Sequence, residues 1–229
     1  MRQLLQLDEY LDLVIPRGGT ELIRFVHENS RIPMVQHFYG VCHVYVDEFA
    51  DREKALEICV TAKTSAPATC NAAECVLVHA SRAAELVPEL VTRYRAADVE
   101  VRGDETVCKL AGQAKPADDS DWGKEYLDLI VAMKVVNDDD EAIAHVQQYS
   151  SNHTDAIVSE NADRQAKFIA AIGSSCVLTN ASTRFNDGFQ LGLGAEIGIS
   201  TSKIHAYGPM GLEELTTQRY VVRGTGQTR

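Results

Sequence analysis

Short apolar runs alternate with amphipathic stretches along most of the chain. Residues 11–15 have strand character, and Pro16-Arg17-Gly18-Gly19 turns the chain. Thr20 is placed to cap a helix running to Asn29, because its hydroxyl can accept a first-turn N–H. Strands are expected at 32–35 and 43–47, the second rich in β-branched and aromatic residues. Residues 51–63 read as a helix with Ala55, Leu56, Cys59 and Val60 on one face, ended by the breaker-rich segment 64–69. A strand at 75–79 and a helix at 81–97 follow. Further strands are expected near Val99 and at 130–136, 156–159 and 177–179, with helices at 140–149 and 162–171. Residues 110–120, rich in Ala, Gly, Pro and Asp, read as flexible. Strands spaced by helical patterns of about 10–15 residues indicate an α/β protein with a largely parallel sheet. From Gly173 onward the periodicity stops, and Gly188, Gly192, Gly194, Gly198, Gly208 and Gly211 punctuate an irregular segment. That many glycines fit backbone held close to a ligand, and equally a tightly turning packed loop.

The chain has 229 residues, 45% of them hydrophobic and 24% charged, with both signs scattered. That suffices for one sizeable core or two smaller ones, and it is not the composition of disorder. The formal net charge of −11 and the absence of a basic patch argue against a nucleic-acid partner. The longest run of one sign, Asp138-Asp139-Asp140-Glu141, reads as an acidic helix N-terminus on a solvated face. No apolar stretch approaches the roughly 20 residues that span a bilayer, and the first residues lack a signal-peptide pattern. A cytoplasmic protein without a membrane partner is the expectation.

Six cysteines occur, at 42, 59, 70, 75, 108 and 176, and their gaps match no zinc pattern. Cys42, Cys59, Cys75 and Cys176 lie among Val, Ile and Leu and read as core residues of a reduced protein. Cys70 differs. It lies in Ala66-Pro67-Ala68-Thr69-Cys70-Asn71-Ala72-Ala73-Glu74, a small-residue loop after a helix and before a strand. Regular elements at both ends hold such a loop, small neighbours leave its thiol accessible, and Thr69 and Asn71 add polar groups. On local features alone, a nucleophile and a structural cysteine both remain open.

The string around Cys70 resembles the active-site motif of the gamma-glutamyl phosphate reductases, or glutamate-5-semialdehyde dehydrogenases, of the aldehyde dehydrogenase superfamily. Asp12-Leu-Val-Ile-Pro-Arg-Gly-Gly19, Gly40-Val-Cys-His-Val-Tyr-Val-Asp47, Asn180-Ala-Ser-Thr-Arg-Phe185, Leu193-Gly-Ala-Glu-Ile-Gly-Ile-Ser-Thr201 and Gly208-Pro-Met-Gly-Leu-Glu-Glu-Leu215 agree with it. So does the stretch 136–157, with His153-Thr154-Asp155. The resemblance runs from end to end. It implies an α/β fold: an aldehyde dehydrogenase-like catalytic domain with the tail of a dinucleotide-binding domain. Residues 1–39 would be that tail, 40–205 the catalytic domain, and 206–229 a C-terminal segment in which Tyr220 to Arg223 resemble an oligomerising strand. A homo-oligomer is implied, and also the lack of an N-terminal half, which could act as a partner.

The family reduces L-glutamyl 5-phosphate with NADPH to glutamate 5-semialdehyde and phosphate, in proline biosynthesis. By resemblance, Cys70 is the thiolate that attacks the acyl phosphate to form a thioester, and a backbone N–H near it could steady the oxyanion. Glu125 aligns with the superfamily carboxylate on the nicotinamide ribose. Arg17, Gly18, Gly19 and Thr20 lie where a helix N-terminus suits cofactor phosphate. The doubly anionic small-molecule substrate needs local cations, for which Arg184 and Lys63 are the candidates. Asn71, Asn180, Ser182 and Thr183 are neutral donors. His37 stands roughly where hydrolytic aldehyde dehydrogenases carry a general-base Glu, and that loss fits a phosphate-coupled reductase. His37 itself reads as a packed or hydrogen-bonded histidine. No metal is implied. The alternative is a non-catalytic fragment that keeps the fold and the oligomer contacts.

Overall fold

A computed structural model describes residues 1–229. Helix α1 (Thr20–Asn29) precedes a seven-stranded sheet made of β1 (Cys42–Val46), β2 (Ala73–His79), β3 (Glu100–Gly103), β4 (Lys115–Pro116), β5 (Ile130–Val136), β6 (Thr154–Val158) and β7 (Cys176–Thr179). The order across the sheet is β4-β3-β5-β2-β1-β6-β7, and every neighbouring pair is parallel. Parallel neighbours cannot be joined by a tight hairpin. The chain crosses back through α2 (Arg52–Thr64), α3 (Ala80–Ala96), α4 (Glu105–Leu110), α5 (Asp139–Tyr149) and α6 (Ala162–Ala171).

Both faces of the sheet are covered. Val44 and Val46 of β1 and Val76 and Val78 of β2 pack beneath α2 and α3 in a core of 24 buried residues. Their alternates Tyr45, Cys75 and Leu77 join α5 and α6 in a second core of 11. Burial on two sides explains why β1, β2 and β6 read as apolar runs. Leu5, Ile23, Val26 and Met34 form a small separate cluster. Asp51, Asp104, Asp138 and Asn161 each accept a first-turn N–H, which sets the starts of α2, α4, α5 and α6. No helix is long and apolar enough to cross a membrane.

Several expectations change. Gly19, not Thr20, is the N-cap of α1, and the Thr20 hydroxyl donates instead to Phe38 O at 3.3 Å. The strands expected at 11–15 and 32–35 shrink to one bridge between Val14 and Met34. Pro16 and Pro33 have no N–H with which to extend that ladder. β2 starts two residues early, at Ala73, and α4 and β4 were not anticipated. The stretch 110–120 holds β4 and hydrogen-bonded turns, with Ala117 N bonded to Gly103 O at 2.8 Å. Tyr220, Val221 and Val222 are exposed and unpaired in the single chain.

The acidic run is only partly solvated. Asp139 is buried and binds Arg164 Nη1 at 2.5 Å and Lys167 Nζ at 2.9 Å, tying α5 to α6. Burial works against its ionised form, but the two cations outweigh it and hold the carboxyl down at about 2. A carboxyl depressed in the folded state stabilises above its unfolded pKa, and that stability is lost as pH falls through the folded value. Asp139→Asn should therefore cost about 2 kcal/mol near neutral pH. The difference from the parent chain should shrink between pH ~4 and pH ~2. Denaturant melts across that range check it, and a penalty independent of pH would assign the effect to packing.

Candidate active site

Because the strands are parallel, every loop that enters one emerges at the same edge of the sheet. Gly40 precedes β1, Cys70 precedes β2, Glu125 precedes β5 and His153 precedes β6. Residues far apart in sequence therefore meet at the amino ends of the strands. Cys70 is half-buried, in a turn closed by Thr69 N to Ala66 O at 3.3 Å and Ala72 N to Thr69 O at 3.0 Å. Its carbonyl lies against Gly40, where any Cβ would collide with it. The Cys42 thiol donates to that same carbonyl at 3.2 Å. Gly40 N in turn donates to Glu125 Oε1 at 2.7 Å. The backbone of Cys70 is thus fixed through Gly40, Cys42 and Glu125.

Burial pushes the Cys70 thiol up to about 11, helped by the carboxylates of Glu196 and Glu125. Its own backbone N–H and the Arg17 guanidinium act in the opposite sense. The resting group is a protonated thiol with both charge signs close by. Burial also raises Glu125. Cys42 lies well above the ordinary thiol range and Cys59 at about 12, both through burial. Cys176 is half-buried and not the core residue expected.

Most of the expected site residues gather here. Arg184 Nη1 donates to Thr69 Oγ1 at 2.9 Å, and its Nε reaches Ser65 Oγ at 3.3 Å, so the guanidinium is tied to the Cys70 loop. Asn71 Nδ2 donates to Asn186 O at 3.0 Å. Ser182 Oγ accepts the Arg184 N–H at 3.4 Å and starts the short 3-10 turn Thr183–Phe185. Thr183 is buried with its hydroxyl unpaired. Arg17 Nη1 donates to Ile197 O at 2.5 Å, and Gly198 has no Cβ because one would sit 2.7 Å from that nitrogen. Gly18, Gly19 and Thr20 lead into α1, whose N-cap Gly19 offers no side-chain acceptor to the first-turn N–H groups. The late glycines serve packed chain at Gly188 and Gly198, against Ala195 and Arg17 respectively.

Two residues fall outside this cluster. Lys63 is fully buried, and its Nζ binds Glu74 Oε2 at 2.6 Å. Burial lowers Lys63 and raises Glu74 to about 7, so the pair is an internal brace and not a cation offered to a ligand. Asn180 brackets Ser159, accepting its N–H at 2.9 Å and donating to its carbonyl at 3.0 Å. Ser159 follows β6, at the carboxyl edge. The five residues of β6 put about 15 Å between that edge and the Cys70 edge. Both were chosen for side-chain chemistry near a motif, which carries no information about the edge or face they occupy.

Other participants were missed. His153, Thr154 and Asn186 form a buried network: Asn186 Nδ2 donates to Thr154 Oγ1 at 2.7 Å, and His153 Nδ1 lies 2.7 Å from the same oxygen. His153 Nε2 and Asn186 Oδ1 are buried and unpaired. Glu196 is held by the Gly188 N–H at 2.9 Å. His153, Thr154 and Glu196 sit inside motifs already quoted and Asn186 directly follows one, but single motif letters do not distinguish site from scaffold. His37 packs edge-on against the His153 ring at 5.9 Å and is lowered by burial and by Arg17, a neutral packed histidine as expected.

No protein-family model matches the chain. The chain is 53% identical over 227 residues to a gamma-glutamyl phosphate reductase of Desulforapulum autotrophicum, covering 99% of this chain and 54% of that protein. It is 52% identical over 228 residues to one of Halalkalibacterium halodurans, covering 100% and 55%. The crystal structure of the gamma-glutamyl phosphate reductase of Thermotoga maritima matches with a TM-score of 0.96 and 49% identity, over 100% of this chain and 55% of that one. An acetylating aldehyde dehydrogenase of Geobacillus thermoglucosidasius shares the fold at a TM-score of 0.68 and 18% identity, covering 99% and 60%. The chain spans about half the length of the curated relatives it matches. The family resemblance and the aldehyde dehydrogenase-like fold are borne out.

The raised thiol has a measurable consequence. Below its pKa the reactive thiolate fraction rises tenfold per pH unit. Iodoacetamide labelling of Cys70, followed by peptide mass mapping, should accelerate about tenfold per unit between pH 7 and pH 9. A rate that levels off below pH 9 would show a thiol already ionised at rest.

Proposed function

We propose that this chain, whose sequence and fold match the gamma-glutamyl phosphate reductases over its full length, carries the thiol-bearing part of an enzyme that reduces L-glutamyl 5-phosphate to glutamate 5-semialdehyde. The observation that carries this reading is Cys70 itself. It lies on a loop braced by Gly40 and Cys42, with Arg184 bound to its neighbouring Thr69. Deprotonated Cys70 Sγ attacks the acyl carbon, and phosphate departs with the electrons of the broken C–O bond. The product is a thioester on Cys70. NADPH, when bound, supplies the hydride that reduces this thioester. The resulting thiohemiacetal oxyanion collapses to the aldehyde, and the electrons of the C–S bond return to Cys70 as thiolate.

The protein's own groups divide the remaining work. Arg184 offers a planar guanidinium to phosphate or α-carboxylate, and Arg17 adds a second positive charge near the thiol. Arg17 favours the thiolate against Glu196 and Glu125. The residues present fit one end of a dinucleotide: first-turn N–H groups of α1 that no side chain caps for a phosphate, and Glu125 Oε2 for a ribose hydroxyl while Oε1 holds Gly40. Residues 1–39 would belong to the cofactor domain and 40–205 to the catalytic domain, with 206–229 making contacts in a homo-oligomer. Because relatives are about twice as long, the activity is proposed for the chain together with the remainder of such a protein.

The test is the phosphate-dependent oxidation of glutamate 5-semialdehyde with NADP⁺ in an assembly that contains this chain. Cys70→Ala should reduce turnover by several orders of magnitude. Arg184→Lys should raise KM several-fold, because an ammonium cannot reproduce the bidentate fork. Retained turnover in Cys70→Ala would overturn the proposal, and an unchanged KM in Arg184→Lys would assign that residue to bracing the Thr69 loop.

A further inference from the structure

On the α5 face of the sheet, directly behind Cys42, three soft ligands converge. His43 of β1, Cys75 of β2 and His145 of α5 are all buried, and their ligand atoms lie within 4.8 Å of one another. Cys75 Sγ is 3.8 Å from His145 Nε2, and the His43 and His145 rings meet edge to face at 5.5 Å. His43 Nε2 has no partner although the residue is completely buried. Unpaired buried nitrogens are rare, because desolvating one without a hydrogen bond costs about 1–3 kcal/mol. A ligand would resolve this one.

We propose that His43, Cys75 and His145 bind a borderline-soft divalent transition metal of the Zn²⁺ type. The donor set is two imidazole nitrogens and one thiol, with no carboxylate among them, which disfavours Mg²⁺ and Ca²⁺. In a tetrahedral site with Zn–N near 2.0 Å and Zn–S near 2.3 Å, neighbouring N and S ligands stand ~3.5 Å apart. The Cys75–His145 spacing of 3.8 Å is near that, and the other two, within 4.8 Å, would close by at most about 1.5 Å. The surroundings of His43 match those of a metal-bound imidazole. Its Nδ1 lies 3.1 Å from Asp155 Oδ1, so Nδ1 carries the proton and Nε2 is directed at Cys75 and His145. Asp155 is itself fixed by His43 N at 2.9 Å, by Ser150 Oγ at 2.6 Å and by Ser174 Oγ. This is a carboxylate–histidine pair whose orientation is set before any ion arrives. Binding displaces the Cys75 thiol proton, and any proton on His43 Nε2, to solvent.

A route in exists. His145 lines a cavity of about 330 Å³, bordered also by Asp119, Trp122, Glu141 and Tyr149. Glu141 neutralises Lys134 of that cavity at 3.1 Å, which leaves Asp119 as its net charge, and that sign suits a cation. The ion would tie α5 to β1 and β2, to which its His145 is linked on this face only through the long contact with Cys75.

The test uses the full chain, stripped of metal and titrated with Co²⁺ in place of Zn²⁺. The expected result is one equivalent bound, with a near-ultraviolet thiolate-to-cobalt charge-transfer band and strong visible bands of a four-coordinate ion, all abolished by Zn²⁺. Cys70→Ser should keep the bands. Cys75→Ser, checked for native circular dichroism, should lose the charge-transfer band and weaken Zn²⁺ at least ~100-fold. No charge-transfer band in the parent chain would overturn the proposal without recourse to any variant. So would a band that persists in Cys75→Ser.

Discussion

Parallel pairing is the constraint on which the site depends. With every strand pointing the same way, the four loops that carry Gly40, Cys70, Glu125 and His153 are delivered to one edge. The crossover helices then do two things. They bury both faces of the sheet, and they bring each loop back to that edge. Gly40 is the closest point of convergence: the missing Cβ lets the segment entering β1 lie on the Cys70 carbonyl, and its N–H captures Glu125. Any side chain at position 40 would force apart the thiol loop and the carboxylate loop together.

The buried Lys63–Glu74 pair stabilises the same arrangement from below. Lys63 lies in the last turn of α2, Glu74 is the second residue of β2, and between them runs the Cys70 loop. Glu74 Oε1 also receives Leu127 N at 3.5 Å, which anchors the segment that carries Glu125. A pair of this kind contributes little net stability compared with apolar side chains, yet removing one partner strands a charge at a cost of about 3–5 kcal/mol. Its value here is positional. The opposite signs near Cys70 follow from the same packing: burial does most to keep the resting thiol protonated, Glu196 and Glu125 add to it, and Arg17 opposes them. Anionic substrate alone would raise the thiol further, so a productive complex depends on the arginines reaching the substrate as well as the sulfur.

The central strands were legible because burial on both faces leaves unbroken β-branched runs, as in His43-Val44-Tyr45-Val46. The starts of α2, α5 and α6 were legible to within a residue from where the helical pattern begins. What escaped lies in short elements and long-range pairing. The six-residue α4 and two-residue β4 are too short for periodicity to register. Lys63 resembled a ligand-binding cation because nothing local reveals that Glu74, 11 positions on, faces it from a strand. Asn180 lies within the same motif as Arg184, yet the chain between them runs from the carboxyl edge of the sheet toward the amino edge. Thr20 and Gly19 differ by one step in backbone conformation, which the identity of the residues does not decide.

Strand alternation ties the two clusters of soft side chains together. Successive residues of β1 face opposite sides, so Cys42 looks toward the Cys70 carbonyl while His43 looks toward Cys75 and His145. β2 repeats the arrangement, leaving the Cys70 loop at its start and sending Cys75 to the far face. Asp155 joins them a third time: it holds His43 from β6, next to Thr154, whose hydroxyl binds His153 and Asn186 on the thiol side. An ion or any other tether on the α5 face would therefore restrain β1 and β2, the strands whose amino ends carry Cys42 and the Cys70 loop.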